Sequence, residues 1–136
     1  GIAVVFLDID HFKRINDRYG HETGDRVLQQ LSARLFGIIR ETDLLFRWGG
    51  EEFVILMPHT GPGEGPALGE RIRAAVAERP FVASDSRPEV AVTVSLGVAG
   101  TAAWPIEPDA LLARADAACY RAKEGGRNRV ESEIPT

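Results

Sequence analysis

Two acidic spots in this chain have the residue types and the setting for chemistry. The first is Asp8-Ile9-Asp10, which closes the apolar run Ala3 to Leu7. A carboxylate at the end of a buried strand is held in place by the sheet, a setting that suits a reactive site. The second is Glu51-Glu52, directly after Gly49-Gly50 in the stretch Arg47 to Phe53. Adjacent like charges repel, so the pair is awkward without a cation. Carboxylates from two segments, helped by a backbone carbonyl, make a hard oxygen site that suits Mg2+ or Mn2+ better than Zn2+. A metal held by few carboxylates keeps positions open for phosphate oxygens, which points to phosphoryl or nucleotidyl transfer. Plainer readings stand beside this one. A Gly-Gly hairpin with exposed glutamates is an ordinary surface turn, and Asp10 or its neighbour suits the cap of the following helix, leaving Asp8 free.

Other polar residues fit the same theme without requiring it. Lys123 and Arg127 lie four apart across the end of the last helical stretch. They suit a polyphosphate, and equally they offset a helix dipole. Asn16 sits inside a helical stretch, where Asn is a poor helix former. Asp25 falls in the first turn of the next helix, a place that also favours the dipole. Together they could read a guanine, with Asp accepting from N1-H and N2-H and Asn bonding O6 or the amino group. His11, His21 and His59 show no metal-ligand spacing.

The elements that must position these residues follow from apolar spacing. Ala3 to Leu7 predicts a buried strand. Phe12, Ile15 and Tyr19 predict a helix that Gly20 ends as a left-handed cap. Val27, Leu28, Leu31, Leu35 and Ile38 predict a second helix over Gly24 to Ile39. Two strands flank Gly49-Gly50, whose turn is expected to use the positive φ open to glycine. A third helix is predicted from Ala67 to Glu78, and a short strand from Phe81 to Ala83 before a turn at Ser84 to Pro88. Val90, Val92, Val94 and Leu96 alternate with small or polar residues, which predicts a strand with one buried face. A fourth helix is predicted from Asp109 to Lys123, ended by Gly125-Gly126, with a last edge strand at Arg129 to Glu131. The order β-α-α-β-β-α-β-α-β with a central hairpin predicts an α/β (α+β) layered domain with a mixed, mainly antiparallel sheet flanked by helices. A dinucleotide-binding fold is excluded, since no G-x-G-x-x-G or phosphate-loop pattern is present.

Composition narrows the class. The chain has 136 residues, the usual size of one domain, with 44% hydrophobic and 26% charged residues. A net charge of −4 argues against a nucleic-acid backbone binder. The one cysteine, Cys119, precludes an internal disulfide and fits a reducing compartment. No signal peptide or membrane-length apolar run is visible. The chain opens almost at its first strand, so a domain cut from a longer protein is expected.

Five motifs in order carry a family resemblance over essentially the whole chain. They are Asp8-Ile9-Asp10-His11-Phe12-Lys13-Arg14-Ile15-Asn16-Asp17; Gly20-His21-Glu22-Thr23-Gly24-Asp25; Gly49-Gly50-Glu51-Glu52-Phe53; Thr93-Val94-Ser95-Leu96-Gly97; and Ala115-Asp116 with Ala118 to Asn128. With them the chain resembles the GGDEF domain of bacterial diguanylate cyclases, in a GGEEF form, and by fold the nucleotide cyclase and polymerase palm. Trp48, where Tyr or Phe is frequent, and Cys119, where Leu is usual, are small departures.

The resemblance implies a reaction, two GTP giving cyclic di-GMP and two pyrophosphates, and roles for residues. Asp8, the Ile9 carbonyl and Glu51 would hold Mg2+ or Mn2+, two ions per site. Glu52 would join them or help deprotonate the attacking 3'-hydroxyl. Asn16 and Asp25 would recognise guanine. Lys123 and Arg127 would hold phosphates, with backbone N–H groups near Phe12 and Lys13, while Gly49-Gly50 lets the α-phosphate region approach. Each domain would hold one GTP, so a homodimer of domains is implied. Arg40 and Asp43, in R-x-x-D form with five residues before Gly49, would form an inhibitory site for the product, joined by Arg71. A cytoplasmic domain, an upstream sensory domain and a membrane tether on some longer chains complete the expectation. A non-catalytic receptor for GTP or cyclic di-GMP, or a maker of mixed cyclic dinucleotides, are the alternatives. The family usually has a D-x-L-T-x-L-x-N-R segment before its first strand, and the chain given starts after it.

Overall fold

The apolar run that opens the chain becomes the central strand. The structure, a computed structural model, describes residues 1–61, 63–83, 89–103 and 105–133. Among these residues the elements run β1 (Ile2–Ile9), α1 (Phe12–Tyr19), α2 (His21–Ile38), β2 (Leu44–Arg47), β3 (Glu52–Pro58), α3 (Glu64–Glu78), β4 (Val94–Thr101), α4 (Pro108–Glu124) and β5 (Arg129–Glu133). The strands lie in the order β2-β3-β1-β4-β5. All neighbours are antiparallel except β4 and β5. This is the mixed, mainly antiparallel α+β sheet that the hairpin demanded.

The two sides of β1 enter different cores. Val5, Leu7 and Ile9 pack with Val27, Leu31 and Leu35 of α2 and with Ile72 and Val76 of α3. Val4 and Phe6 pack with Leu111, Ala115 and Cys119 of α4. Side chains alternate along a strand, so Asp8 shares the α4 side with Val4 and Phe6. The helix comes very close to the sheet there. A Cβ on Gly97 of β4 would strike the Ala118 carbonyl carbon at 2.8 Å and lie nearer still to Ala115 O and Cys119 N. That approach fixes where the C-terminal half of α4, and Lys123 on it, meets the end of β1. Cutting a fully buried anchor such as Leu31 or Ile72 to Ala should cost about 2–5 kcal/mol.

Several element bounds differ from the sequence expectation. Helix α2 starts at His21, not Gly24, so Asp25 lies in its second turn rather than its first. Gly20 separates α1 from α2 with φ 94° and ψ 160°, an extended glycine-only conformation rather than a left-handed cap. Helix α3 begins at Glu64, not Ala67. The Glu64 carboxylate accepts the Gly61 N–H at 2.6 Å, and Pro66 is tolerated in a first turn, where its N–H is not needed. The strand expected at Val90 runs instead from Val94 to Thr101, because its partner β1 ends at Ile9, opposite Val94. Val90 and Phe81 form only an isolated bridge. Strand β4 is buried on both sides, not one, since α3 and α4 cover opposite faces. The turn expected at Ser84 to Pro88 lies outside the described residues.

Candidate active site

Pairing of β1 with β3 brings the acidic spots together. Asp8 stands opposite Glu52 in the register, and the Ile9 N–H donates to Glu51 O at 3.2 Å. The hairpin tip is a longer loop than the two-residue turn expected. The N–H groups of Trp48 and Gly49 both reach Glu52 O, at 2.8 and 3.3 Å. Neither Gly49 nor Gly50 has positive φ, because a loop of this length needs no mirror-image turn. Their value is space. A Cβ on Gly49 would collide with the Glu52 carboxylate, and Gly50 faces open room on the cleft wall.

The tip and the two helices after β1 enclose a cleft of about 650 Å³. Asp8, Phe12, Lys13, Asn16, Asp25, Gly50, Glu51 and Glu52, all expected from sequence, line it together. Asn16 Oδ1 is buried there with no partner among the described residues. It lies against Gly24, where any Cβ would collide with it. An orphaned buried acceptor is costly and calls for a ligand donor or water. Asn16 and Asp25 thus flank one space, and the glycine inside α2 is what lets Asn16 sit there.

Charge at the acidic end is unbalanced. Burial and the neighbouring Asp8 carboxylate push Glu51 above the ordinary glutamate value. Burial and then Asp8 do the same to Glu52. Lys123 Nζ donates to Asp8 Oδ2 at 2.6 Å. Burial alone would lower the Lys123 ammonium, but its bond to Asp8 and the Asp8 and Glu51 charges outweigh that and raise it. Asp8, Glu51 and the Ile9 carbonyl offer hard oxygen donors, which fits Mg2+ or Mn2+. Among the described residues no group of three or more His, Cys, Asp or Glu side chains is assembled for a metal. The implied set, two carboxylates and a carbonyl, is smaller than that.

The cap position expected of Asp10 or its neighbour falls to the neighbour. His11 occupies the cap position of α1, with no side-chain bond. Asp10 is instead 5% exposed and accepts three hydrogen bonds. They come from Thr93 Oγ1 at 2.7 Å, Ser95 Oγ at 2.6 Å and the Asn128 N–H at 2.9 Å. Arg127 lies in the turn after α4, outside the cleft lining of the ligand-free molecule.

A second, smaller hollow of about 220 Å³ joins Arg40, Asp43 and Arg71 with Met57, Glu64, Ala67 and Leu68. Arg40 grips Asp43 at 2.8 and 3.1 Å and also donates to Pro58 O and Thr60 Oγ1. The Asp43 side chain is fully buried and that of Arg40 is 41% exposed.

Comparison with known proteins decides the family. The family described as Diguanylate cyclase, GGDEF domain, matches residues 1–129. The chain belongs to the GGDEF family. This GGDEF domain is 45% identical over 129 residues to the response regulator PleD of Caulobacter vibrioides, covering 95% of this chain and 28% of that protein. It is 46% identical over 128 residues to diguanylate cyclase DgcM of Escherichia coli, covering 94% of this chain and 30% of that protein. It therefore spans less than a third of these curated relatives. The solved GGDEF domain of DgcB from Caulobacter crescentus, in complex with c-di-GMP, superposes with a TM-score of 0.90 at 36% identity, covering 96% of this chain and 77% of that one. No helix among the described residues is long and apolar enough to cross a membrane.

Four neighbours of the site take no site role from the sequence alone. Arg47 donates to Gly49 O at 3.3 Å and Gly50 O at 2.7 Å, which braces the hairpin tip, and it lines the cleft. His21 reaches the cleft because α2 starts early. Thr93 and Ser95 carried a signal, two hydroxyls two apart on one strand face, but their partner Asp10 was distant in sequence.

Proposed function

We propose that this GGDEF domain is a diguanylate cyclase, condensing two GTP into cyclic di-GMP and two pyrophosphates. The observation that carries the reading is the seating of Asp8, Glu51 and Glu52 at paired strand ends, on the same cleft as Asn16 and Asp25. Asn16 and Asp25 grip guanine, with the unpaired Asn16 Oδ1 meeting a base or water donor. Backbone N–H groups near Phe12 and Lys13 meet phosphate oxygens, and Gly50 leaves room for their approach. Lys123 and Arg127 hold phosphate from the α4 side. Asp8, the Ile9 carbonyl and Glu51 hold Mg2+ or Mn2+, two ions per site. When bound, the ions neutralise phosphate charge as Lewis acids. Glu52, beside Asp8, joins that set or takes the proton of the attacking hydroxyl.

In each step a 3'-oxygen bonds to an α-phosphorus, and the bond to the leaving pyrophosphate breaks. Two such steps close the ring. Each domain holds one GTP, so two domains must face each other in a homodimer, within a longer chain that carries a sensory domain. Arg40, Asp43 and Arg71 form a site where product inhibits, the arginine fork suiting a guanine edge or phosphate.

The test is a forced dimer incubated with GTP and Mg2+, with product identified by chromatography. Cyclic di-GMP is expected. A folded, GTP-binding dimer that yields none would overturn the cyclase reading and leave a receptor for GTP or cyclic di-GMP.

A further inference from the structure

The turn that follows α4 has an unusual backbone. Gly126, Arg127 and Asn128 have φ of 120°, 65° and 46°, three left-handed residues in a row. Glycine adopts such angles freely and Asn tolerates them, but Arg does so at a cost. Something must hold Arg127 there. Its own N–H donates to Ala122 O at 3.0 Å, which ties the turn to the end of α4. The next residue is held from two sides. The Asn128 N–H donates to Asp10 Oδ2 at 2.9 Å, and Asn128 Oδ1 accepts from Arg73 Nη1 of α3 at 3.1 Å.

The anchor on the Asp10 side is rigid. Its carboxylate is buried and also fixed by Thr93 Oγ1 and Ser95 Oγ at the start of the neighbouring strand β4, while its own N–H donates to Thr93 O at 3.0 Å. A carboxylate with three donors is held in one orientation, and a charge-assisted bond to a backbone N–H is among the stronger hydrogen bonds. Asp10 follows Asp8 by two residues, so both face the α4 side of the sheet. The same strand end therefore presents one carboxylate to the cleft and a second to the turn bearing Arg127.

We propose that Asp10 is a positioning residue for nucleotide binding, acting through Asn128 to hold Arg127 in a left-handed turn from which its guanidinium reaches the phosphates. This deepens the proposed function and rests on it. Asp10 touches neither substrate nor metal. Its buried charge is used to fix the backbone of the turn that carries the phosphate cation, and the Thr93 and Ser95 hydroxyls serve to orient that charge.

The test uses 3'-deoxy-GTP with Mg2+, a probe that lacks the attacking hydroxyl and so stays intact in a dimer. Binding is measured by calorimetry on the domain, alongside thermal unfolding. Asp10→Ala should weaken binding on the order of tenfold or more, the worth of one lost charge-assisted contact. Asp10→Asn, which keeps one oxygen for the Asn128 N–H, should restore most of the affinity. In an Arg127→Ala background, Asp10→Ala should cost less than about twofold more, because the group it positions is gone. Additive losses would mean that Asp10 acts on the fold at large, and would overturn the proposal, as would wild-type affinity in Asp10→Ala. Should Asp10→Ala fail to fold, Thr93→Val, which removes a hydroxyl that orients the Asp10 carboxylate, carries the same cycle, with the same non-additivity expected and additivity again overturning it. A folded wild-type forced dimer that makes no cyclic di-GMP from GTP overturns the cyclase reading alone, since this cycle is read in binding.

Discussion

Lys123 Nζ lies 2.6 Å from Oδ2 of Asp8, so the proposed phosphate cation and the proposed metal ligand occupy each other in the ligand-free domain. Asp8 is 6% exposed at its side chain, and a buried carboxylate needs a countercharge. Lys123 supplies it here. On the proposed metal role of Asp8, a divalent ion would compete with Lys123 for that carboxylate, and loading the site would free the ammonium to turn toward phosphate. Lys123→Met should raise Mn2+ affinity without nucleotide severalfold, weaken GTP binding, and destabilise the metal-free domain by about 1–3 kcal/mol. Calorimetric titration with Mn2+ and urea unfolding check the three effects. Unchanged Mn2+ affinity would remove the competition.

Glu51 and Glu52 show the opposite economy. Both carboxyls are raised above the ordinary value of 4.5, each first by burial and then by Asp8. A raised carboxyl binds more protons in the folded state than in the unfolded state. The folded domain is thus favoured at low pH, and this favour is lost as pH rises from 4.5 through the raised values. Without metal, stability should fall over that window, and Glu51→Gln should flatten the fall. Both groups are only half-buried, so screening keeps the gain small, on the order of 1–3 °C in Tm at neutral pH. The same variant should lose turnover by about a thousandfold or more and lose most of the stabilisation that Mg2+ gives the wild type. Melting curves against pH, with and without Mg2+, separate the effects. A Glu51→Gln domain that melts lower than wild type without metal would contradict the charge argument.

Most of the fold and much of the cleft were legible because their signals are local. The apolar run at Ala3 to Leu7, the helical stripe from Val27 to Leu35 and the motif residues Asp8, Asn16, Asp25 and Glu51 state their setting within a few positions. The parts that escaped depend on residues far apart in sequence. Asp10 reads as a cap beside Phe12, yet its partners are Thr93, Ser95 and Asn128. The strand expected at Val90 starts at Val94, because β1 ends opposite that residue and no periodicity encodes a partner's length. The engagement of Lys123 by Asp8 was equally hidden, since each was read toward a ligand and neither toward the other.

Arg40 is both a structural clamp and a proposed ligand. Its guanidinium holds the fully buried Asp43 carboxylate and bonds Pro58 O and Thr60 Oγ1. The Arg40 N–H also donates to Asp43 Oδ2 at 2.8 Å, a backbone bond that Ala or Lys at this position keeps. Arg40→Ala should therefore cost about 1–2 kcal/mol of stability while weakening cyclic di-GMP binding at least tenfold. Arg40→Lys should recover part of the stability through its charge but little of the binding, because an ammonium cannot reproduce the planar fork. Calorimetry with cyclic di-GMP and thermal melts of the two variants check this. Equal affinity in wild type and Arg40→Ala would remove the inhibitory site.

Gly24 isolates the guanine assignment from the metal chemistry. A Cβ at this position would collide with Asn16 Oδ1 and lie 3.2 Å from Phe12 Cζ, both of them side-chain atoms. Alanine is the better helix former by about 1 kcal/mol, and the atom it displaces is the end of a flexible side chain. The two effects oppose, so Gly24→Ala should change stability by less than about 1 kcal/mol. Asn16 would be pushed from the cleft, and its orphaned oxygen would find water. Affinity for GTP should then fall by about tenfold, the worth of a hydrogen bond made in a buried setting, while affinity for inorganic pyrophosphate with Mg2+ stays unchanged. Titrations of the variant with both ligands read the contrast. If pyrophosphate binding falls in parallel with GTP binding, the side of the cleft near Asn16 serves phosphate rather than base, and the guanine role proposed for Asn16 is withdrawn.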